Sequence, residues 1–315
     1  MTADLKYSLY AVFSALAASG GLIITEIGVQ SMSVSVLSIA VGSNYVAGIF
    51  LLLWAAARGG CQWRGWGRAD WLRLLAGSAA TYAVGFLLLY NAIGLIGTSK
   101  TSLLGRLEMV FVVMLAVVFL RETWTPRHWL ASLTALAGAV IISFDPTAWS
   151  LDVGLGEAMA LFSALVFSIG IIALKSVLNR QSGLLVSGYG LLLGAIVLTP
   201  FLLVAAPPSH GVAPTGLVLG MLFVRGILLA LSWVSYNVAM QHIGASRSSV
   251  MFLSIGFLSI LAQVIVDALF PDLGLKLPAH LDLAILGGIV ICIGIYFVSA
   301  APTDSQKLDN PQEIT

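Results

Sequence analysis

The chain has 315 residues, 59% of them hydrophobic and 9% charged, with a formal net charge of +1 and a mean hydropathy of +1.01. A soluble domain carries roughly a quarter of its residues as charged side chains, so this composition excludes an aqueous surface over most of the fold. Near-neutrality gives no field directed at nucleic acid, and two cysteines, Cys61 and Cys292, give neither a disulfide framework nor a cysteine metal cluster.

Ten apolar stretches come near the ~20 residues that a helix needs to cross the hydrocarbon. In chain order they are 7–25, 34–57, 74–96, 101–120, 129–144, 156–174, 184–206, 217–240, 248–266 and 283–301. The first shows no signal-peptide cleavage pattern and is kept as structure. Connections are short, and 302–315 is polar and expected to be a disordered cytoplasmic tail. The predicted fold class is an all-α integral membrane protein with ten transmembrane helices.

Basic residues orient it. With the N-terminus inside, Lys6, Arg58, Arg64, Arg68, Arg73, Arg121, Arg127, Lys175, Arg180, Arg247 and Lys307 face the cytoplasm, and Lys100 and Lys276 face outward. That is eleven against two, with Arg106 and Arg225 left inside the membrane. Both termini are therefore predicted to be cytoplasmic.

The chain also repeats itself. Phe13 through Ile23 returns as Phe162 through Ile172, Tyr90-Asn91 as Tyr236-Asn237, Gly97 through Ser102 as Gly244 through Ser249, and Gly138 through Ile141 as Gly288 through Ile291. The offsets lie between 146 and 150, which divides the chain into a first five-helix repeat at 1–149 and a second at 150–301. An odd number of spans per repeat makes the second inverted relative to the first. Inverted repeats give secondary carriers two near-equivalent conformations around a midplane site.

Charges inside the spans are the candidates for that site, because an ionisable group there costs several kcal/mol and is placed against a cavity or a partner. Glu108 lies ten residues past Thr98, about 15 Å deep, and Arg225 lies nine past Gly216, about 13–14 Å deep. Arg106 is slightly nearer the outside. On one continuous helix, Arg106 and Glu108 stand roughly 200° apart, so one needs a partner elsewhere, and Arg225 matches Glu108 in depth and sign. Their repeat mates near Leu253, Ile255 and Ala79 are apolar, so duplication does not account for these charges. A structural ion pair joining helices is the alternative reading. Glu26, at the outer end of the first span, reads as a side chain reaching the interface, and stands beside Glu108 as a proton-coupling candidate. Tyr90, Asn91, Trp233, Tyr236 and Asn237 add aromatic and amide groups. An asparagine in a span can equally hydrogen-bond a neighbouring helix. The glycines of the seventh and tenth spans read as close-packing positions. No Gly-rich run followed by Lys-Ser/Thr is present to bind a nucleotide.

The stretch Val110-Phe111-Val112-Val113-Met114-Leu115-Ala116-Val117-Val118-Phe119-Leu120-Arg121-Glu122-Thr123-Trp124, a basic turn, and Trp129-Leu130-Ala131 leading to Gly138 resemble the EamA-type branch of the drug/metabolite transporter superfamily. The resemblance covers essentially the whole chain. It departs where Glu108-Met109 stand in place of an early proline, and where Phe270-Pro271-Asp272 offers no counterpart of Glu122. It implies that the third and eighth spans border a central cavity, and that the cargo is exported and amino-acid-like. The expected function is a secondary active exporter of small polar or zwitterionic metabolites in a bacterial cytoplasmic (inner) membrane. A carrier of organic anions or nucleotide-type solutes, gripped by Arg106 and Arg225, is the alternative. A membrane enzyme is opposed by the scatter of His128, His210, His242 and His280, and a packing subunit by the strong repeat. No cofactor or metal is expected. The expected partners are the substrate, the lipid bilayer and, as an open possibility, a second copy of the chain, without nucleic acid.

Overall fold

The structure, a computed structural model, describes residues 3–59, 65–122, 126–143, 154–204, 215–271 and 281–299, all helices and connections with no strand among them. Helix α1 spans Ala3–Gln30 and α2 spans Val36–Ala57. Ser35 caps α2, its Oγ accepting the Ser38 amide at 3.1 Å, which satisfies one of the donors that a helix start leaves open. α3, Arg68–Ala79, passes through a π-helical turn at Ala80–Val84 into α4, Gly85–Gly105. The Asp70 carboxylate reaches back to the Gly67 amide at 3.2 Å and fixes where α3 begins. α5, Leu107–Leu115, ends in a second π-helical turn at Ala116–Leu120.

Beyond these lie α6 (Pro126–Ser143), α7 (Leu155–Leu178), α8 (Gly183–Val204), α9 (Thr215–Ile243), α10 (Ala245–Phe252), α11 (Ile255–Leu269) and α12 (Leu281–Ser299). Seven helices are long and apolar enough to cross a membrane, and three shorter apolar helices cover Leu107–Leu120, Trp129–Ile141 and Leu281–Phe297. Large apolar side chains such as Phe119, Leu203 and Val204 stand exposed on the outside of the bundle, a surface suited to lipid and not to water. The tail 302–315 and Lys276 fall outside the described residues, as do the side chains of Tyr90 and Lys100.

Helix α1 packs along α9, and α7 packs along both α3 and α4. α2 packs on α8, and α6 on α12. α2 also meets α9, as α8 meets α3, while α1 leans on α10 and α11 and α7 on α5. The α6–α12 contact is close because both helices present glycine: a Cβ on Gly138 would stand 2.6 Å from the Gly287 carbonyl oxygen. Small residues let membrane helices approach at backbone distance and gain dispersion contact where no hydrophobic force drives them together.

Two differences from the sequence expectation affect the site. Helical bonding continues over 97–100, where the third and fourth spans were separated, and the interruption falls at Arg106. The chain still reverses, because the Gly85 carbonyl accepts Ser163 Oγ at 2.8 Å and the Glu108 carbonyl accepts Ser168 Oγ at 2.9 Å. Those serines are neighbours on α7, whereas a straight helix from Gly85 to Glu108 would be about 35 Å long. The ninth span, expected as one helix at 248–266, is broken at Leu253 and Ser254 into α10 and α11.

Candidate substrate-binding site

Glu108 lies in the first turn of α5, two residues beyond the interruption. An interrupted helix leaves amide donors and the positive end of its dipole at the break, which favours a carboxylate there. The Glu108 side chain is half-buried and Arg106 is the countercharge acting on it. Arg106, the single residue between α4 and α5, keeps right-handed helical angles (φ −65°, ψ −18°), so the wide separation expected between the two side chains stands. The pairing of Glu108 with Arg225 suggested by depth is not found. Among the described residues no ion pair joins them, and Arg225 Nε donates to Thr25 Oγ1 on α1 at 3.0 Å.

Beside Glu108 runs a row of aromatic rings. Tyr82, in the π-helical turn between α3 and α4, meets Trp233 of α9 edge to face at 4.7 Å. Trp233 meets Tyr236 at 5.7 Å, and Tyr236 meets Phe252 of α10 at 5.3 Å. Edge-to-face contacts of this kind add about 0.5–1.5 kcal/mol each beyond area burial. The Tyr236 hydroxyl shares a 2.7 Å hydrogen bond with Ser249 and lies within electrostatic reach of Glu108 and Glu122. Asn237 Nδ2 donates to Ser187 Oγ of α8 at 2.8 Å, joining two helices. Its Oδ1 and the Tyr82 hydroxyl are both buried and accept or donate no hydrogen bond among the described residues.

The remaining candidates scatter. Asn91 is exposed and donates to the Leu87 carbonyl of its own helix at 2.7 Å, so it does not share the setting of its repeat mate Asn237. Tyr90 lies outside the described side chains. Glu26 is half-buried and accepts Gln263 Nε2 of α11 at 2.9 Å, away from the aromatic row. Glycines of α8 pack helices together: a Cβ on Gly190 would touch Ser78 and Tyr82 at 3.2 Å. Sequence reasoning overlooked Tyr82, Ser249 and Phe252. Tyr82 carried a signal, since a tyrosine deep in an apolar span is away from the interfacial belts where tyrosines collect. Phe252 carried none, being one apolar residue among many.

Comparison with known proteins shows what the chain is similar to. Residues 5–144 match the model of the EamA-like transporter family. That match covers the first part of the chain, short of half its length. Over 205 residues, 63% of its length, the chain is 27% identical to a Streptantibioticus cattleyicolor protein named "Probable terminal-alkyne amino-acid exporter". The alignment spans 63% of that protein, short of two thirds. An uncharacterized transporter of Archaeoglobus fulgidus is 26% identical over 203 residues, 64% of this chain and 68% of that one. A Synechocystis sp. protein, also named an uncharacterized transporter, is 22% identical over 250 residues, 76% of this chain and 69% of that one. A solved crystal structure superposes with a TM-score of 0.71 at 18% identity, covering 93% of this chain and 97% of its own, and supports the fold alone. The apolar helices make the chain a multi-pass membrane protein, and its residues 5–144 are similar to a family of transporters.

Proposed function

We propose that this protein is a secondary active exporter of small zwitterionic metabolites such as amino acids, working by alternating access between two inverted five-helix repeats. The observation that carries the reading is the placement of Arg106 and Glu108 at the joint of α4 and α5, near the row Tyr82, Trp233, Tyr236 and Phe252. A cation and a carboxylate at one break offer opposite charges to the two ends of an amino acid, and the rings offer an apolar wall to its side chain. Discontinuous helices whose ends face the substrate near the midplane recur in carriers built from inverted repeats.

The packing supports the repeat. Exchanging the halves carries α1 on α9 into α7 on α3 and α4, leaves α2 on α8 and α6 on α12 unchanged, and carries α1 on α10 and α11 into α7 on α5. The break at Arg106 and the one beginning at Leu253 are 147 residues apart, the same offset that relates Gly97 to Gly244. Export rests on the printed name of one relative and on the family resemblance. The basic-residue bias supports a bacterial cytoplasmic membrane with both termini inside.

A thermal-shift screen on the purified protein tests the cargo, because a ligand that binds only the folded state raises its stability by mass action. Amino acids are expected to raise the melting temperature, and organic anions without an ammonium group to leave it unchanged. Glu108→Gln is expected to remove the response. Stabilisation by organic anions alone would replace this reading with the anion carrier.

A further inference from the structure

One end of the bundle is held by contacts that the substrate reading does not use. The π-helical turn Ala116–Leu120 ends at Arg121 in a left-handed conformation, φ 56°, and so sends Glu122 across to α10. Its Oε1 accepts the Ala245 amide at 2.7 Å and its Oε2 accepts the Ser246 amide at 3.2 Å. Gly244, at φ +88°, forms the joint between α9 and α10, and a Cβ there would stand 3.0 Å from the Glu122 carboxylate. The other side of the joint is also gripped. Lys175 Nζ donates to the Met240 and Gln241 carbonyls at 2.7 and 3.3 Å, and Gln241 Nε2 donates to the Leu178 carbonyl at 3.0 Å. α10 is buried from Ala245 to Met251, Arg247 included, whereas only Gly256 of α11 is buried. Burial is therefore concentrated at the Glu122 end.

We infer that Glu122 is a latch, whose charge-assisted bonds to the first turn of α10 hold this end of the transport path shut until the two halves move. The inference rests on the alternating-access reading. Glu122 belongs to the first half and α10 to the second, so opening between halves at this end separates the carboxylate from its two amides. To α11, the described links include Gln263 Nε2 to the Glu26 carboxylate at 2.9 Å and Ser19 Oγ to the Ile255 carbonyl at 3.3 Å. Charge-assisted bonds to amides are stronger than neutral ones, so the Glu122 end is held shut more firmly.

Thiol labelling in membrane vesicles tests this without a known cargo. With Cys61→Ser and Cys292→Ser as background, Ser249→Cys places a thiol one turn inside the joint. It is exposed to a membrane-impermeant maleimide in inside-out and in right-side-out vesicles. The thiol is expected to react slowly from the inside, and Glu122→Ala, which removes both charge-assisted hydrogen bonds, to raise that rate by at least about tenfold, the factor for losing one of them. Glu122→Gln, which keeps an acceptor but loses the charge, should fall between. A gain of the same size from the outer side would leave the latch standing and overturn the topology. Unchanged rates from both sides in folded variants would make Glu122 a helix cap only and overturn the latch. Failure of both variants to accumulate as folded protein would also overturn it, by making Glu122 a folding residue.

Discussion

Asn91 and Asn237 are repeat mates in sequence that end in opposite settings. Asn91 faces outward and bonds its own helix, while Asn237 is buried and ties α9 to α8 through Ser187. Removing a buried partner leaves the other group unsatisfied, at about 1–3 kcal/mol. Asn237→Ala is therefore expected to lower the melting temperature clearly. Asn91→Ala is expected to stay within about 0.5 kcal/mol, as exposed substitutions do. Equal effects in detergent melts would contradict these placements. At Glu108 the expectation concerns coupling. It is the acid in the first turn of the broken helix, so Glu108→Gln is expected to abolish the response of transport to an imposed pH gradient in vesicles. Undiminished coupling would remove Glu108 from that role. The charge on Glu108 was legible because an acid in the middle of an apolar run has no bland explanation. Its surroundings were not, because the rings of Tyr82, Trp233, Tyr236 and Phe252 come from separate elements that only the fold brings together.

Among the helices, the broken ones carry more of the account than the straight ones. Nothing in the run from Leu107 to Leu120 contains a proline, so the sequence reads as one span joined to its polar flank, and the break at Arg106 is set by tertiary contacts that only the fold supplies. The joint at Gly244 was closer to legible, since a glycine after a long helix is a common stop. Close helix contacts were legible from glycine spacing, and one of them gives a firm expectation. A methyl group on Gly138 meets backbone atoms of Gly287 and Ile291, not a yielding side chain. Gly138→Ala is expected to push α6 from α12 and cost about 1–3 kcal/mol, the range for overpacked cores. A melting temperature equal to the parent's would show that the two helices are not seated this closely.

For the molecule as a whole, class was the most legible feature, since charge depletion needs no contact to be read; the position of lysines and arginines proposes an orientation in the same way. Membrane topology follows from them: Lys100→Cys and Lys276→Cys should label from outside intact cells, and Arg64→Cys should not, with the opposite pattern reversing the orientation. What the whole molecule does depends on the break between α4 and α5. The most direct measurement replaces Arg106 with Met and Glu108 with Leu together and follows counterflow of radiolabelled amino acids in proteoliposomes beside the melting temperature. Both side chains are half-buried, so removing one charge costs less than the about 3–5 kcal/mol of a fully buried pair, while replacing both with apolar groups is often neutral. The double variant is therefore expected to fold like the parent and to lose transport that the parent shows. A folded double variant that transports as well as the parent would contradict the account and leave Arg106 and Glu108 as a pair that holds helices together.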